Sequence, residues 1–438
     1  MLSPDPVAGG SALLFWSKVA GNAGFFAAVL ILARALGPTG RGTIAFITVT
    51  ALVVARIAGL GVAEATAVFA ARRPDRRPAL LSNLVVFMLA SAAVAALIAC
   101  AALLAAGGER PAGVGAPELA ILAVATVASA LSEGAAAFLL GCSRLRSLAL
   151  ITATVSWIYP ALLVSIAVVG ELTVERAALA WLAGESWRAY LLLRRSSLGV
   201  APSRPDFALL RSAVSFGLRA WVGTLSRFLN FRLDQILMGF LASEATLGIY
   251  AVAVNASEAL LYLPAATAAA LVPVVAGDPR SRVDQTVRAF RSAALVTAGA
   301  IVAAAVLGPV LLPLLFGSAF RPSVGPFLWL LPGAIGFAAT AIFSSGLMAS
   351  SAPGRSSLGP LASLAVGVAL DLVLIPRFGA TGAAAAASAA FLAGGATALI
   401  AYSGRSPFPW RDLVVPRRGD LDVLRALARP LRASYIRP

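Results

Sequence analysis

Charged side chains inside long apolar runs are the residues of this sequence best placed to do chemistry. Those that are basic are Lys18, Arg34, Arg56, Arg188, Arg219, Arg227 and Arg232. Arginine grips phosphate oxygens through its planar fork, so these positions favour an anionic ligand. The chain has 34 Arg, one Lys and no His. The absence of histidine excludes His metal ligands, His general bases and Ser-His-Asp triads.

The densest group of polar positions lies on one predicted helix, residues 209–241. On an ideal helix an arc about 100° wide contains a polar stripe, formed by Arg219, Gly223, Ser226, Arg227, Asn230 and Asp234. Arg232 points nearly opposite, so either it pairs elsewhere or the helix is distorted there. A stripe of this length is typical of the wall of a water-filled cavity. The alternative is a set of buried ion pairs between helices, such as Arg227 with Glu258.

Three other predicted helices carry polar pairs, which are Lys18 with Asn22, Arg56 with Glu64, and Asn255 with Glu258. Arg34 and Arg188 lie near helix ends, from which long side chains reach the interface. Basic residues deep in the spans do not outnumber acidic ones. The sign of the charge in the cavity is therefore judged from the depth at which each charged residue lies. Arg219 and Arg227 lie in the inner and middle parts of their helix, whereas Asp234 and Asp371 lie toward the outside. This order predicts an inner vestibule that attracts an anionic headgroup.

The elements that position these residues are transmembrane helices. The 438 residues are 60% hydrophobic and 12% charged, with a mean hydropathy of +0.89, whereas soluble domains carry about 25% charged residues. Inside a bilayer only helices and closed barrels satisfy their backbone groups, and long runs without alternation predict helices. The composition therefore excludes a soluble globular domain. The net charge of +16 lies in short clusters between apolar runs, a pattern that indicates no nucleic-acid partner.

Breaks at Gly, Pro and Arg clusters predict an all-α polytopic protein of about twelve spans. The predicted spans are 11–36, 43–70, 79–106, 117–140, 148–170, 175–194, 209–241, 246–275, 290–315, 325–349, 356–376 and 380–402. In the alternate loops, at the span ends beside them and in the C-terminal tail, 23 Arg residues lie on one side. Only five lie on the other side, namely Arg41, Arg110, Arg176, Arg321 and Arg377. By the positive-inside rule, both termini are predicted to be cytoplasmic.

The longest basic linker divides the chain into two sets of six spans. The predicted domains are an N-terminal lobe (1–194), a cytoplasmic linker (195–208), a C-terminal lobe (209–402) and a basic cytoplasmic tail (403–438). A weak repeat supports the division, because a Leu, a short turn, a Gly and an apolar run recur from Leu36 to Ala45 and from Leu241 to Ala251. The tail is either an amphipathic helix on anionic lipid or a solvated basic segment.

Several segments resemble the polysaccharide (oligosaccharidyl-lipid) flippases of the multidrug/oligosaccharidyl-lipid/polysaccharide exporter superfamily. The strongest likeness is to the seventh span of these flippases, in SFGLRAW (215–221) and FLNFRLDQ (228–235). Further similar segments are ARALGP (33–38), LPLLFG (312–317) and LIPRFGATGA (374–383). The likeness covers nearly the whole chain in the right order, and the motifs are more specific together than singly.

The resemblance implies a transporter and not an enzyme, with two six-helix lobes around a central cavity that alternates between the two sides of the inner membrane. The implied cargo is a polyprenyl-pyrophosphate-linked oligosaccharide for a cell-surface polysaccharide such as O-antigen or exopolysaccharide. The implied cavity residues are Lys18, Asn22, Arg56, Arg219, Arg227, Asn230 and Asn255. The candidates for ion coupling are Asp234, Asp371, Glu258 and Thr381. No cofactor or bound metal is expected, and Na⁺, H⁺ and the membrane potential remain alternative driving forces.

Three other functions fit parts of the pattern. A multidrug exporter of the same superfamily would favour an acidic, aromatic cavity for cationic drugs. A membrane glycan polymerase or ligase would need a large external catalytic loop, and the longest external loop predicted here, 107–117, is too small. A scaffold without transport would tolerate the loss of its charges. Partners beyond the lipid-linked glycan and the bilayer would be other polysaccharide assembly proteins.

Overall fold

The computed structural model describes residues 6–105, 113–201, 203–277, 281–350 and 352–415, and this part of the chain is helical and contains no strand. Its α-helices are α1 Pro6–Ala58, α2 Val62–Arg72, α3 Arg77–Ala105, α4 Ala116–Gly141, α5 Leu145–Val155, α6 Ile158–Val169, α7 Val174–Ser197, α8 Phe207–Leu229, α9 Leu233–Leu241, α10 Glu244–Ser257, α11 Tyr262–Gly277, α12 Arg282–Phe316, α13 Val324–Leu330, α14 Gly333–Ala349, α15 Pro353–Ser356, α16 Leu358–Ser403 and α17 Arg411–Val414. Short 3₁₀ segments cover Pro74–Arg76, Glu258–Leu261 and Ser318–Ser323.

Seven helices of the described chain are long and apolar enough to cross a membrane. The number rises to eight if the pair around α13 and α14, bent by 47°, forms one span. The chain is therefore an all-α multi-pass membrane protein, as its composition predicts. The count of twelve spans stays a prediction.

Two of the long helices bend sharply at a glycine. Within α1 the backbone at Gly37 has φ 64°, and within α16 the backbone at Gly379 has φ 54°. Glycine adopts positive φ without the steric cost that a side chain would bring. Each bend separates two predicted spans, so the connections expected there are tight turns between helices.

Five predicted spans are interrupted where the hydrophobic pattern predicted one continuous helix. The second span breaks between α1 and α2, the fifth between α5 and α6, the seventh between α8 and α9, the eighth at the 3₁₀ segment before α11, and the tenth between α13 and α14. Of the two alternatives left open for Arg232, the distortion of the helix is observed, because this residue lies between α8 and α9. The arc drawn on an ideal helix was wrong beyond Leu229, since Asp234 belongs to a separate helix.

By backbone contacts the chain separates into two compact units. The N-terminal unit comprises Met1–Val252 and Leu315–Phe320, and the C-terminal unit comprises Ala253–Leu314 and Arg321–Pro438. The first has a core of large side chains that includes Leu80, Leu84, Met88 and Phe138. The core of the second includes Phe343, Leu347 and Tyr402. Division into lobes 1–194 and 209–402 stays a prediction, and residues 416–438 of the predicted tail and 107–112 of the external loop lie outside the described residues.

Two pairs of glycines bring helices of the N-terminal unit into backbone contact. A Cβ on Gly42 would overlap the Glu244 carbonyl, and a Cβ on Gly248 would overlap the carbonyl of Pro38. These two glycines occupy equivalent places in the weak sequence repeat. In the second pair, a Cβ on either Gly61 or Gly217 would overlap the backbone of the other.

Candidate functional site

Five residues of the N-terminal unit, here called the Arg56 cluster, gather charges from four helices: Arg56, Glu64, Glu133, Thr224 and Arg227. The Arg56 guanidinium lies 2.9 Å from Glu64 Oε1 through one nitrogen and pairs with Glu133 through another. Thr224 Oγ1 donates a hydrogen bond to the same Glu64 oxygen at 3.0 Å. Arg56 and Glu64 both act electrostatically on Arg227. Arg56, predicted as a substrate-binding cavity residue, is thus paired with the acidic residue of its own predicted span, Glu64.

A break in the second predicted span brings Arg56 and Glu64 together. Eight residues of continuous helix would separate their Cα atoms by about 12 Å along the axis. Instead α1 ends at Ala58 and α2 begins at Val62. In the turn between them Leu60 has φ 44° and Gly61 has φ 76°. Positive φ is strained for a residue such as Leu, so the surrounding packing holds this turn in place.

The break also leaves a backbone carbonyl without its helical partner. The Leu60 N–H bonds to the Ile57 carbonyl and not to that of Arg56. Buried carbonyl groups need a donor, and the indole Nε1–H of Trp221 supplies one to the Arg56 oxygen at 3.2 Å. Helix α8 can approach this closely because Gly61 and Gly217 present no side chains. Backbone and side chain of Arg56 are therefore both fixed by other helices.

The charges of the Arg56 cluster balance, with two guanidinium groups and two carboxylates. The side chains of Arg56, Glu64 and Glu133 are 22%, 23% and 32% exposed. An ion at this depth is stable only with a counter-ion or water. The Arg56 guanidinium is thus paired with two carboxylates. A guanidinium that binds a phosphate would instead keep its donors free of carboxylates.

The guanidinium groups of Arg219 and Arg227 are placed differently. Both side chains are exposed on α8. Arg219 Nε donates to the carbonyl of Ser215, one turn back, at 3.2 Å. Within the described chain neither arginine forms an ion pair with a carboxylate at contact distance. These two groups therefore keep donors available for an external anion.

The remaining predicted cavity residues of the N-terminal unit lie near helix surfaces and ends. Lys18 and Asn22 are exposed on α1. Asn230 caps α8 and donates to the Ser226 carbonyl at 2.9 Å. The structure does not bring Lys18 or Asn22 into hydrogen-bond contact with the described residues of the Arg56 cluster.

Asp234, a candidate for ion coupling, is held in the first turn of α9. Its Oδ2 accepts a short hydrogen bond from the hydroxyl of the buried Tyr250. Its Oδ1 accepts from the Gln235 backbone N–H at 2.7 Å. Sequence reasoning missed Tyr250 because nothing in its apolar run distinguishes it from a core aromatic.

The C-terminal unit contains the other predicted residues. Asn255 is half-buried near the end of α10, and its Nδ2 is buried and has no hydrogen-bond partner in the described chain. Glu258 begins the 3₁₀ segment that interrupts the eighth predicted span. Asp371 is 5% exposed on α16, and Thr381 follows the bend at Gly379. Their role in ion coupling stays a prediction.

Two arginines near helix ends differ in their surroundings. Arg188, expected to reach the interface, instead pairs with Glu185 at 2.7 Å. Arg34 is exposed, and its Nε donates to the Leu315 carbonyl at 2.8 Å. The one-turn spacing of Glu185 and Arg188 was the sequence signal for the ion pair.

An apolar groove of about 680 Å³ lies between α3, α4 and α7 of the N-terminal unit. It includes Leu97, Val124, Leu131, Tyr190 and Leu193. None of the predicted site residues lines it. Within the described ranges, no three Cys, Asp or Glu side chains gather as metal ligands would.

The broken helices and multi-pass architecture give this chain the fold of solved structures described as a lipid II flippase and as transporters of the MOP superfamily. The chain is similar to a structure of "Lipid II flippase MurJ, inward closed conformation", with a TM-score of 0.75 and 12% identity over 92% of this chain and 88% of the other. The chain is also similar to an inward-facing multidrug resistance MATE family transporter, with a TM-score of 0.65 and 14% identity over 87% of this chain and 93% of the other. For a MOP superfamily transporter from Pyrococcus furiosus the TM-score is 0.59 and the identity is 15%, over 91% of this chain and 95% of the other.

The chain belongs to the polysaccharide biosynthesis protein family, whose profile matches residues 31–325. No curated protein sequence gives a significant match. At the identities above, the structural similarities establish the fold. The family match adds the biological process, so the resemblance seen in the sequence motifs is confirmed.

Proposed function

We propose that this protein moves a polyprenyl-pyrophosphate-linked oligosaccharide from the cytoplasmic to the outer leaflet of the inner membrane, for cell-surface polysaccharide synthesis. Membership of the polysaccharide biosynthesis protein family supports the process. Similarity to a structure named as a lipid II flippase supports the type of cargo. Alternating access is the transport mode, and both termini are cytoplasmic.

One observation carries the proposal: the guanidinium groups of Arg219 and Arg227 are exposed on α8, within the seventh predicted span. Exposed cations at this depth need water or an anion. A pyrophosphate supplies several charged oxygens that match the planar donor fork of arginine. In this proposal Arg219 and Arg227 bind the diphosphate, with Lys18 and Asn22 beside it. Arg56 holds α2, α4 and α8 in position.

The driving force is part of the same proposal. Asp234 and Asp371 are the candidates for binding Na⁺ or H⁺. An inside-negative potential also favours outward movement of an anionic diphosphate, by roughly 2.3 kcal/mol per charge per 100 mV. The two sources of energy are compatible.

A multidrug exporter is the second candidate. Glu64 and Glu133 are carboxylates of the kind that bind cationic drugs, and one similar structure is a multidrug resistance MATE transporter. For another similar structure, a MOP superfamily transporter from Pyrococcus furiosus, the reverse polarity of the binding pocket suggests a different function. Polarity favours glycan transport here, since both carboxylates are paired with Arg56, whereas Arg219 and Arg227 form no ion pair at contact distance in the described chain.

Neutralising both exposed arginines is expected to stop glycan export. The double variant Arg219→Gln/Arg227→Gln, expressed in a deletion strain, should restore at most about a tenth of the surface polysaccharide. Each hydrogen bond to a charged group contributes about 1.5–3 kcal/mol, which is tenfold or more in binding. Lipid-linked glycan should accumulate on the cytoplasmic leaflet, and extraction after leaflet-specific periodate oxidation measures it.

Arg211→Gln is the matched control, because Arg211 is exposed on the same helix, α8, at the predicted cytoplasmic end. This variant should export normally. Full export by the double variant would contradict the proposal. Resistance to cationic drugs on overexpression, with no change in surface glycan, would favour the second candidate.

Orientation can be tested at Cys142, which caps α4 in a loop predicted to face the cytoplasm. Burial raises the pKa of this thiol, and the charges of Arg77 and Arg144 offset the rise only partly. The thiol is therefore protonated at neutral pH, and its labelling rate should rise about tenfold per pH unit between pH 7 and 8. In a Cys100→Ala background, a membrane-impermeant maleimide should label inside-out vesicles and not right-side-out vesicles. The reverse pattern would overturn the topology.

A further inference from the structure

The apolar groove between α3, α4 and α7 contains none of the residues proposed to take part in transport. It forms because α3 and α7 both pack on α4. The Ser196 hydroxyl of α7 donates a hydrogen bond to the Ala135 carbonyl at 3.4 Å, and a Cβ on Gly134 would meet the Leu84 side chain of α3 at 2.8 Å. Alanines make room for the volume of about 680 Å³ between the two helices. Those that line it are Ala93, Ala96, Ala123, Ala128 and Ala189.

The length of the groove matches one leaflet of a bilayer. Along α4 the groove extends from Ala123 to Leu131, which is about 12 Å of helix. The hydrocarbon core of a bilayer is about 30 Å thick, so one leaflet contributes about 15 Å. On α7 the groove ends at Leu193, four residues before the helix ends at Ser197. One end of the groove therefore lies near the predicted cytoplasmic end of α7, and the groove extends from there toward the middle of α4.

The walls of the groove are apolar and accessible from the bilayer. Leu97 is 68% exposed and Val124 is 55% exposed, and their helices, α3 and α4, are apolar enough to cross a membrane. No charged side chain of the described chain lines the groove. Lipid tails are as apolar as these side chains, so a hydrocarbon chain is held there by close packing. The headgroup that the chain carries then decides which lipid binds.

A cation stands at the inner end of the groove. Tyr190 lines the groove, and Arg194 follows it by four residues, so the two side chains lie on the same face of α7. The Arg194 side chain is exposed, and within the described chain its guanidinium forms no hydrogen bond or ion pair. Arg195 is also exposed, but it projects about 140° away from Tyr190 around the helix. Basic residues between transmembrane helices on the cytoplasmic side bind anionic lipid headgroups.

We propose that the groove binds an anionic phospholipid of the cytoplasmic leaflet. One acyl chain lies against α4, and the headgroup phosphate is bound by Arg194, whose planar fork matches phosphate oxygens. The choice of leaflet rests on the proposed orientation of the chain. The occupant is a resident lipid and not the cargo, because none of the residues proposed to bind the diphosphate lines the groove.

Photo-crosslinking of the full-length protein in phosphatidylcholine nanodiscs tests the site. The probe is a phosphatidylglycerol that carries a diazirine in the middle of one acyl chain. Cross-links should concentrate in the peptides of α3, α4 and α7 that line the groove. Ala93→Phe places a ring in the groove and should reduce these cross-links about tenfold, because overpacking excludes the chain. Ala102→Phe is the matched control, since Ala102 is exposed on the opposite face of α3; it should keep the wild-type yield.

A second probe tests the headgroup. The same diazirine chain on a phosphatidylcholine headgroup should give about fivefold fewer cross-links in wild type, because an arginine near the membrane surface favours an anionic lipid by about this factor. Arg194→Gln should abolish the difference between the two probes. Arg195→Gln, the matched control from the same turn of α7, should keep it. Equal yields from the two probes in wild type, or the same loss in both variants, would overturn the assignment of an anionic headgroup to Arg194.

Three other outcomes would overturn the proposal. If a polyprenyl diphosphate removes the cross-links at a lower mole fraction than unlabelled phosphatidylglycerol does, the groove holds the tail of the cargo. If cross-linked dimers replace the lipid adducts, and Ala93→Phe makes the protein monomeric, the groove is an interface between two copies. Cross-links spread evenly over other apolar helices, such as α12, would show a general lipid shell. None of these variants changes Arg219 or Arg227, so failure here leaves the proposed glycan transport to its own test.

Discussion

Replacing Arg56 by alanine is expected to give the largest loss of both stability and export among single charge changes in this protein. The substitution leaves Glu64 and Glu133 close together at membrane depth without their shared counter-ion. Removing one partner of a buried ion pair costs about 3–5 kcal/mol, and the partial exposure of these side chains places the expected cost near 3 kcal/mol. Unfolding in a denaturing-detergent titration measures the stability, and surface polysaccharide measures the export.

A variant that removes both carboxylates together with Arg56 separates the repulsion from a general packing defect. In Arg56→Gln/Glu64→Gln/Glu133→Gln no like charges remain, so most of the lost stability should return. Arg211→Ala, which removes an exposed arginine at the end of α8, should change stability by less than about 0.5 kcal/mol. If Arg56→Ala is as stable as wild type, the ion pairs do not hold α2, α4 and α8 together.

Placing a side chain at Gly217 is expected to be the second most damaging change. A Cβ at this position would overlap the Gly61 backbone, which cannot move aside as a flexible side chain can. Overpacking inside a well-packed core costs about 1–3 kcal/mol, and backbone overlap places Gly217→Val at the upper end of this range or above it. The separation of α8 from α2 would also remove the Trp221 hydrogen bond to Arg56. Tryptophan fluorescence and the unfolding titration report the two effects.

Gly184→Ala provides the matched control, because the nearest atom to a Cβ there is the Tyr159 Cβ at 4.0 Å. Alanine also has the higher helix propensity, so this variant should be as stable as wild type or slightly more so. Gly217→Val with unchanged fluorescence and stability would show that α2 and α8 are not in backbone contact in the membrane.

The sequence predicted the class of fold because hydropathy is a local property. Runs such as those now seen in α3 and α12 are apolar over the thickness of a bilayer. It did not predict most of the helix breaks. The turn at residues 59–61 contains two glycines, yet the apolar pattern continues through it, and the break after Asn230 contains no glycine or proline at all. Those breaks are stabilised by contacts from other helices, which periodicity does not reveal.

The candidate site was only partly predictable for the same reason. Arg56 and Glu64 stand on one predicted span, so their pairing could be expected. Glu133 was visible as a deep acid, but its partner lies 77 positions away. Trp221 looked like an ordinary aromatic of a membrane helix. Its role depends on a carbonyl freed by a break in another helix, which is a tertiary property.

The contact between Gly42 and Gly248 has a consequence for how substitutions at these positions combine. Each glycine faces the backbone that flanks the other, so a side chain at either position would push the same two helices apart. Glycine at one position therefore cannot compensate for its loss at the other, and α1 and α10 cross this closely only while both are present.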